Sequence, residues 1–148
     1  MVKNIDIKIR NFKIEDYNSV IKLWESAGLP FKPKGRDSKV KIEEELKKGI
    51  AIFLLAETDN KIIGSVIGTH DGRKGWINRV AVDPEYQKSG IARKLVLEVE
   101  KKLDELGIDI IACLIEDWND RSMKVFEKLG YIKHEDVFYF SKRKNKDI

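Results

Sequence analysis

The six residues Gln87-Lys88-Ser89-Gly90-Ile91-Ala92 offer the chemistry of the backbone rather than of side chains. They follow a strand-like run, Val80-Ala81-Val82, and a stop at Asp83-Pro84, and they open a long helical pattern. The first N–H groups of a helix have no partner inside it and carry the positive end of its dipole. Gly90 lets the backbone approach a ligand closely, and Ala92 keeps the next turn narrow. Successive free amides of this kind can wrap a phosphate. The turn is not a P-loop, since the glycine spacing that would have to precede Lys88-Ser89 is absent.

The single cysteine, Cys113, sits among Ile110, Ile111, Ala112, Leu114 and Ile115. Those neighbours make it a core residue rather than a nucleophile. One cysteine cannot form an internal disulfide, so a reducing cytoplasm is the expected setting. The 148 residues suit one domain, residues 1–148, long enough to bury about two thirds of the unfolded surface. No apolar run approaches the roughly 20 residues of a membrane span, and the N-terminus lacks the apolar stretch of a signal peptide. No membrane partner is expected. The net charge of +4 is mild, and Lys and Arg alternate with Glu and Asp along most of the chain. A nucleic-acid footprint is therefore not required, although a modest positive field favours an anionic ligand.

Hydrophobic periodicity then supplies the elements that must position the turn. Ile5 to Arg10 alternates and reads as a first strand. Tyr17, Val20, Ile21 and Trp24 recur at helical spacing between Ile14 and Gly28, and Leu29 to Asp37, with Pro30, Pro33 and Gly35, reads as a loop. Ser38 suits the N-cap of a second helix that runs to about Lys48 and closes at Gly49. Three strands follow, Ile50–Glu57, Ile62–His70 and Trp76–Val82, and the short turns between them impose an antiparallel meander. The helix after Gly90 carries Ile91, Leu95, Val96, Val99, Leu103 and Leu106 on one face. Ile110–Ile115, apolar on both faces, predicts a central fifth strand. A helix over Asn119–Leu129 and a final strand pair between Tyr131 and Lys142 complete the chain. The order predicts an α/β fold, a mixed, mostly antiparallel sheet with helices covering it. The parallel pair formed by the fourth and fifth strands is where neighbours can diverge and leave a cleft.

With these elements placed, the chain resembles the GNAT family of N-acetyltransferases. The family's signature is Gln or Arg, two residues, Gly, one residue, then Gly or Ala, and Gln87, Gly90 and Ala92 match it. A second family segment, an Asn-led helix ending in Leu-Gly-aromatic, is matched by Asn119 through Leu129-Gly130-Tyr131. The strand and helix order matches over essentially the whole chain. The resemblance implies a GNAT-type sheet, acetyl-CoA as co-substrate and no metal. It implies that backbone groups of Val80, Ala81 and Val82 meet the pantetheine arm and that amides from Gln87 through Lys88, Ser89, Gly90 and Ile91 to Ala92 hold the pyrophosphate. Asn119 would hydrogen-bond the arm, or act simply as an N-cap. Lys88 and Arg93 would meet the anionic end, or be solvated surface.

Phe126 departs from the family pattern. Many members carry Tyr there, thought to protonate the departing thiolate, and Phe has no proton to give. A free thiol has a pKa of about 8.5, so its thiolate can leave and be protonated by water. Positioning and oxyanion stabilisation remain, with the N–H of Val80 or Ala81 as candidate donor. Phe126 can still pack against the acetyl group or the thioether. A charged amine acceptor also needs a base. Glu116, where partial burial would raise the pKa, is one candidate, or else a solvated strand end. Asp117, His70, Asn78 in a positioning role, and ordered water are the others. Trp24, Leu29-Pro30-Phe31, Trp76, Trp118 and Tyr139 are available to line the acceptor pocket, or are plain core, and Arg36 and Asp37 could read a charged substrate or be solvated surface. The expected activity is acetyl transfer to a primary amine of a small molecule, peptide or protein. The alternative, motivated by Phe126, is a catalytically weak CoA-binding sensor or regulatory domain. Exposed strand edges make a homodimer a further expectation.

Overall fold

The computed structural model describes residues 6–148. Five strands, β1 (Lys8–Asn11), β2 (Ala51–Thr58), β3 (Lys61–His70), β4 (Lys74–Val82) and β5 (Ile110–Cys113), form one sheet in chain order. The first three pairings are antiparallel, and β4 and β5 run parallel. The α/β architecture and the mixed, mostly antiparallel sheet are as the sequence predicts. Ile5 of the expected first strand lies outside the described residues. The β2–β3 turn is two residues long, with Asp59 at φ +48° and Asn60 at φ +61°. Both φ values match the turn type whose twist suits a hairpin.

Four helices cover the sheet: α1 (Tyr17–Ser26), α2 (Lys39–Lys48), α3 (Ile91–Glu105) and α4 (Asp120–Lys128). A short 3-10 turn, Ile14–Asp16, leads into α1. Ser38 caps α2 by accepting from the Lys41 N–H at 3.2 Å, and Asn119 caps α4 by accepting from the Ser122 N–H at 3.2 Å. Burial on both faces explains the near-continuous apolar run of β2. Its Leu54 and Ala56 meet Leu95, Val96 and Val99 of α3, whereas Phe53 and Leu55 face Val20, Leu23 and Trp24 of α1.

α3 lies very close to the sheet, and glycine makes this possible. A Cβ at Gly68 would stand 2.5 Å from Val99 Cγ1, and one at Gly75 would stand 2.9 Å from Leu103 Cδ1. Val99 is fully buried and has no room to yield. The Gly68→Ala variant is therefore expected to lose about 1–3 kcal/mol of stability by overpacking. Urea denaturation at unchanged m-value measures this, and a variant as stable as the parent would refute the close fit.

Three expectations are corrected. β5 is an edge strand rather than a central one, pairing with β4 alone, and Ile110 and Leu114 are exposed. The segment from Tyr131 to Lys142 forms no strand pair, and Ile132, Val137, Phe138, Tyr139 and Phe140 are exposed. Apolar and β-branched composition shows what a segment can pair with, but pairing also needs a partner that takes its backbone groups. Leu106, the C-cap of α3, is exposed rather than part of the buried stripe.

Candidate active site

The site begins where the two parallel strands part. β4 and β5 are in register from Lys74 opposite Ile110 to Ile77 opposite Cys113. β5 then ends while β4 continues to Val82, leaving Asn78–Val82 without a strand partner on that side. Such an edge presents free backbone donors and acceptors.

The other side of β4 carries a bulge at the same place. Ile67 pairs with Asn78 and Ser65 with Ala81, so Arg79 and Val80 together oppose Val66. Arg79 has φ +54°, a left-handed conformation that costs a residue with a Cβ about 1–2 kcal/mol. Its surroundings hold it there. The guanidinium forks onto Asp37, with Nε 3.2 Å from Oδ1 and Nη2 2.8 Å from Oδ2. The Arg79 carbonyl accepts from Ser65 Oγ at 3.2 Å, and that Oγ accepts from Trp24 Nε1 at 2.9 Å. Asp37 is itself fixed, since its Oδ2 accepts from the Lys32 N–H at 2.7 Å and its carbonyl from the Tyr17 hydroxyl at 2.9 Å. The side chains of Arg79 and Asp37 are only 15% and 7% exposed, which makes this a buried ion pair. Sequence reasoning missed it and gave Asp37 to substrate or solvent. The available signal was Arg79, the lone charge in the otherwise uncharged run Trp76–Val82.

A cleft of about 190 Å³ opens between the parted strands, lined by Val80, Cys113, Asn119, Ser122 and Phe126 among others. Burial pushes the Cys113 thiol up to about 11, so it stays protonated at neutral pH. Phe126 is buried and meets the Tyr131 ring edge-on, with centroids 4.9 Å apart. The Tyr131 hydroxyl donates to Glu100 Oε2 at 2.7 Å. Burial and that carboxylate hold the phenol far above its ordinary value, and Tyr131 does not line the cleft.

The turn between β4 and α3 is tied to the strand that precedes it. Gln87 Nε2 donates to the Val82 carbonyl at 3.3 Å, and Ser89 Oγ donates to the Tyr86 carbonyl. Lys88 and Gly90 both have positive φ, +68° and +82°. A Cβ at Gly90 would meet nothing within 4 Å, so the space beside it is open. Among the described residues, the N–H groups of Gly90, Ile91, Ala92 and Arg93 have no protein acceptor. The side chain of Ile91 is buried in the core and anchors the helix start, while Lys88, Gly90 and Arg93 are exposed.

A larger cavity of about 500 Å³ adjoins the cleft and shares Asn78, Arg79 and Glu116 with it. Glu116 is exposed at this junction, so the partial burial expected of it from the apolar strand before it is corrected: β5 ends at Cys113 and leaves the residue open to water. Asp117 and His70 line neither space, and His70 Nδ1 accepts from the Gly72 N–H at 3.1 Å. Phe31 and Trp118 line the smaller space and Tyr139 the larger. Trp24 is fully buried in the core, and the Trp76 ring is covered by Lys74 Nζ at 4.5 Å from its centroid. Among the described residues no group of three or more His, Cys, Asp or Glu side chains could hold a metal, and no helix is long and apolar enough to cross a membrane.

Solved structures share this architecture. A PaiA N-acetyltransferase from Thermoplasma acidophilum, in complex with coenzyme A, superposes with a TM-score of 0.78 at 24% identity, over 90% of this chain and 94% of its own. The enzyme AAC(6')-Iy, in complex with a bisubstrate analogue, gives 0.78 at 20% identity over 93% and 99%. Glucosamine-6-phosphate N-acetyltransferase from Arabidopsis thaliana gives 0.76 at 19% identity over 95% and 99%. The acetyltransferase (GNAT) family model matches residues 17–131, a span that takes in the bulge, the cleft and the turn. The chain therefore belongs to the GNAT family, acyltransferases that use acetyl-CoA as donor.

Proposed function

We propose that the chain transfers the acetyl group of acetyl-CoA to a primary amine of a small molecule, peptide or protein by direct attack on the thioester. The observation that carries this reading is a pair of open backbone stretches close together in the chain. The unpartnered edge of β4 and the open amides at the start of α3 flank one short connection, the 3-10 turn Pro84–Tyr86 and residues 87–89. On this reading the backbone of Val80, Ala81 and Val82 receives the pantetheine arm as an added strand would be received. The amides from Gln87 to Ala92 take the diphosphate, with Lys88 and Arg93 exposed beside it. Asn119 already uses its side-chain oxygen as a cap, which leaves its NH₂ group for the arm. Phe126 gives the thioether an apolar wall, and the N–H of Val80 or Ala81 receives the developing oxyanion.

In the reaction the neutral amine attacks the carbonyl carbon, the C–N bond forms and the C–S bond breaks. The amine's spare proton leaves to a base such as Glu116 or to water, and the thiolate takes a proton from solvent. The test follows free thiol while acetyl-CoA is mixed with a panel of polyamines, amino acids, aminoglycosides and N-terminal peptides. Thiol release that depends on one class of amine is the expected result. Tight acetyl-CoA binding with no amine-stimulated release would instead favour the sensor reading that Phe126 motivates.

The Phe126→Tyr variant refines this. Acetyl-CoA affinity is expected to stay within about twofold, because the ring remains in place. A well-placed general acid is worth about 10²–10⁴-fold. Turnover here is expected to change by much less, because the thiolate can leave without one. A gain approaching that range in single-turnover kinetics would show that leaving-group protonation limits the native enzyme.

A further inference from the structure

α2 presents three consecutive glutamates, and they differ in surroundings. Glu43 and Glu44 are exposed and lie 3.8 and 3.7 Å from Lys47 and Lys41 respectively. Glu45 is half-buried and lines the larger cavity, and among the described residues it makes no ion pair. The other charged groups around it are Arg36, Asp37, Arg79, Glu116 and Arg143 on the cavity wall, with Lys48 on its own helix. Asp37 and Arg79 are engaged with each other. Arg143 Nη1 donates to the Ile148 carbonyl at 3.0 Å, and Arg36 and Glu116 are exposed to water. Glu45 is therefore the cavity's one half-buried carboxylate without a cation of its own among the described residues.

Burial first, and then the charge of Asp37, push the Glu45 carboxyl above its ordinary range, against the weaker pull of Lys48 and Arg79. A carboxylate in this setting gains from a cation brought to it and is basic enough to take a proton.

The geometry points to Glu45 as the group that receives the acceptor's ammonium and removes its proton, so that the cavity selects an amine that is cationic in solution. This inference rests on the acetyltransferase reading of the adjoining cleft. The ammonium gives one proton to the Glu45 carboxylate, and the freed lone pair forms the C–N bond as the C–S bond breaks. The second nitrogen proton leaves through water as the thiolate takes one up, and Glu45 returns its proton to solvent.

The test compares wild type, Glu45→Gln and Glu43→Gln across pH, with an amine acceptor found active in the thiol-release panel. Wild-type kcat/KM is expected to rise through a pKa above the usual carboxylate range and then level off. The Glu45→Gln variant is expected to lose about 10²-fold at neutral pH. It should also lose the plateau, its rate then tracking the neutral fraction of the amine. Its acetyl-CoA affinity and thermal midpoint should match wild type, and Glu43→Gln should behave as wild type throughout. A Glu45→Gln variant with the wild-type rate and pH profile overturns the assignment while leaving the acetyltransferase reading intact. A Glu45→Gln variant that loses activity but keeps the wild-type profile shape also overturns it, since Glu45 would then only shape the pocket. Wild-type protein that releases no thiol with any amine removes both readings.

Discussion

The Gly90→Glu variant is expected to lose acetyl-CoA binding, with Kd rising at least about 100-fold, equivalent to about 2.7 kcal/mol. Two effects combine at this position. Gly90 has φ +82°, so any side chain there costs about 1–2 kcal/mol of backbone strain. The added carboxylate would also occupy the open space beside the amides of Ile91 and Ala92 and repel a diphosphate. A Gly90→Ala control separates the two, since it has the strain without the charge and should bind only modestly more weakly. Both variants should fold, because a Cβ at this position meets nothing within 4 Å. Isothermal titration with acetyl-CoA decides the matter. A folded Gly90→Glu protein with wild-type affinity would remove the turn from the site.

The second large effect concerns the brace behind β4. The Asp37→Ala variant leaves Arg79 buried without a counter-charge and the Lys32 N–H without its acceptor. Breaking a buried pair from one side costs about 3–5 kcal/mol. The bulge that places Val80 against the cleft should lose its register as well, lowering kcat/KM more than stability alone explains. Replacements of Arg79 separate the pair from the strain. Both Arg79→Ala and Arg79→Gly lose the ion pair, but Gly also relieves the φ of +54°. The Gly variant should therefore be about 1 kcal/mol more stable than the Ala variant. Equal stability of the two in urea would show that the backbone there is not strained.

The order of elements was legible because each depends on short-range signals. Ser38 and Gly49 bracket α2, the turn at Asp59 and Asn60 closes the β2–β3 hairpin, and α3 shows its buried stripe at helical spacing. The turn at Gly90 was legible for the same reason, since a glycine-started helix needs no distant residue to be recognised. The brace was not legible, because Asp37 and Arg79 are 42 residues apart and each alone reads as surface charge. Glu45 was hidden among its neighbours Glu43 and Glu44, which share its type but not its burial. Only the packing of α2 over the cavity distinguishes the three. β5 was misjudged because apolarity on two faces signals burial within a sheet, whereas its place in the sheet depends on whether a later strand pairs with it. The expected partner, between Tyr131 and Lys142, does not.

The most direct measurement is a crystal structure of the chain grown with coenzyme A. The diphosphate oxygens should lie within hydrogen-bonding distance of the Gly90 and Ala92 N–H groups, with the pantetheine arm running beside Val80 to Val82. A ligand seated elsewhere, or side chains filling the corner between β4 and α3, would contradict the account.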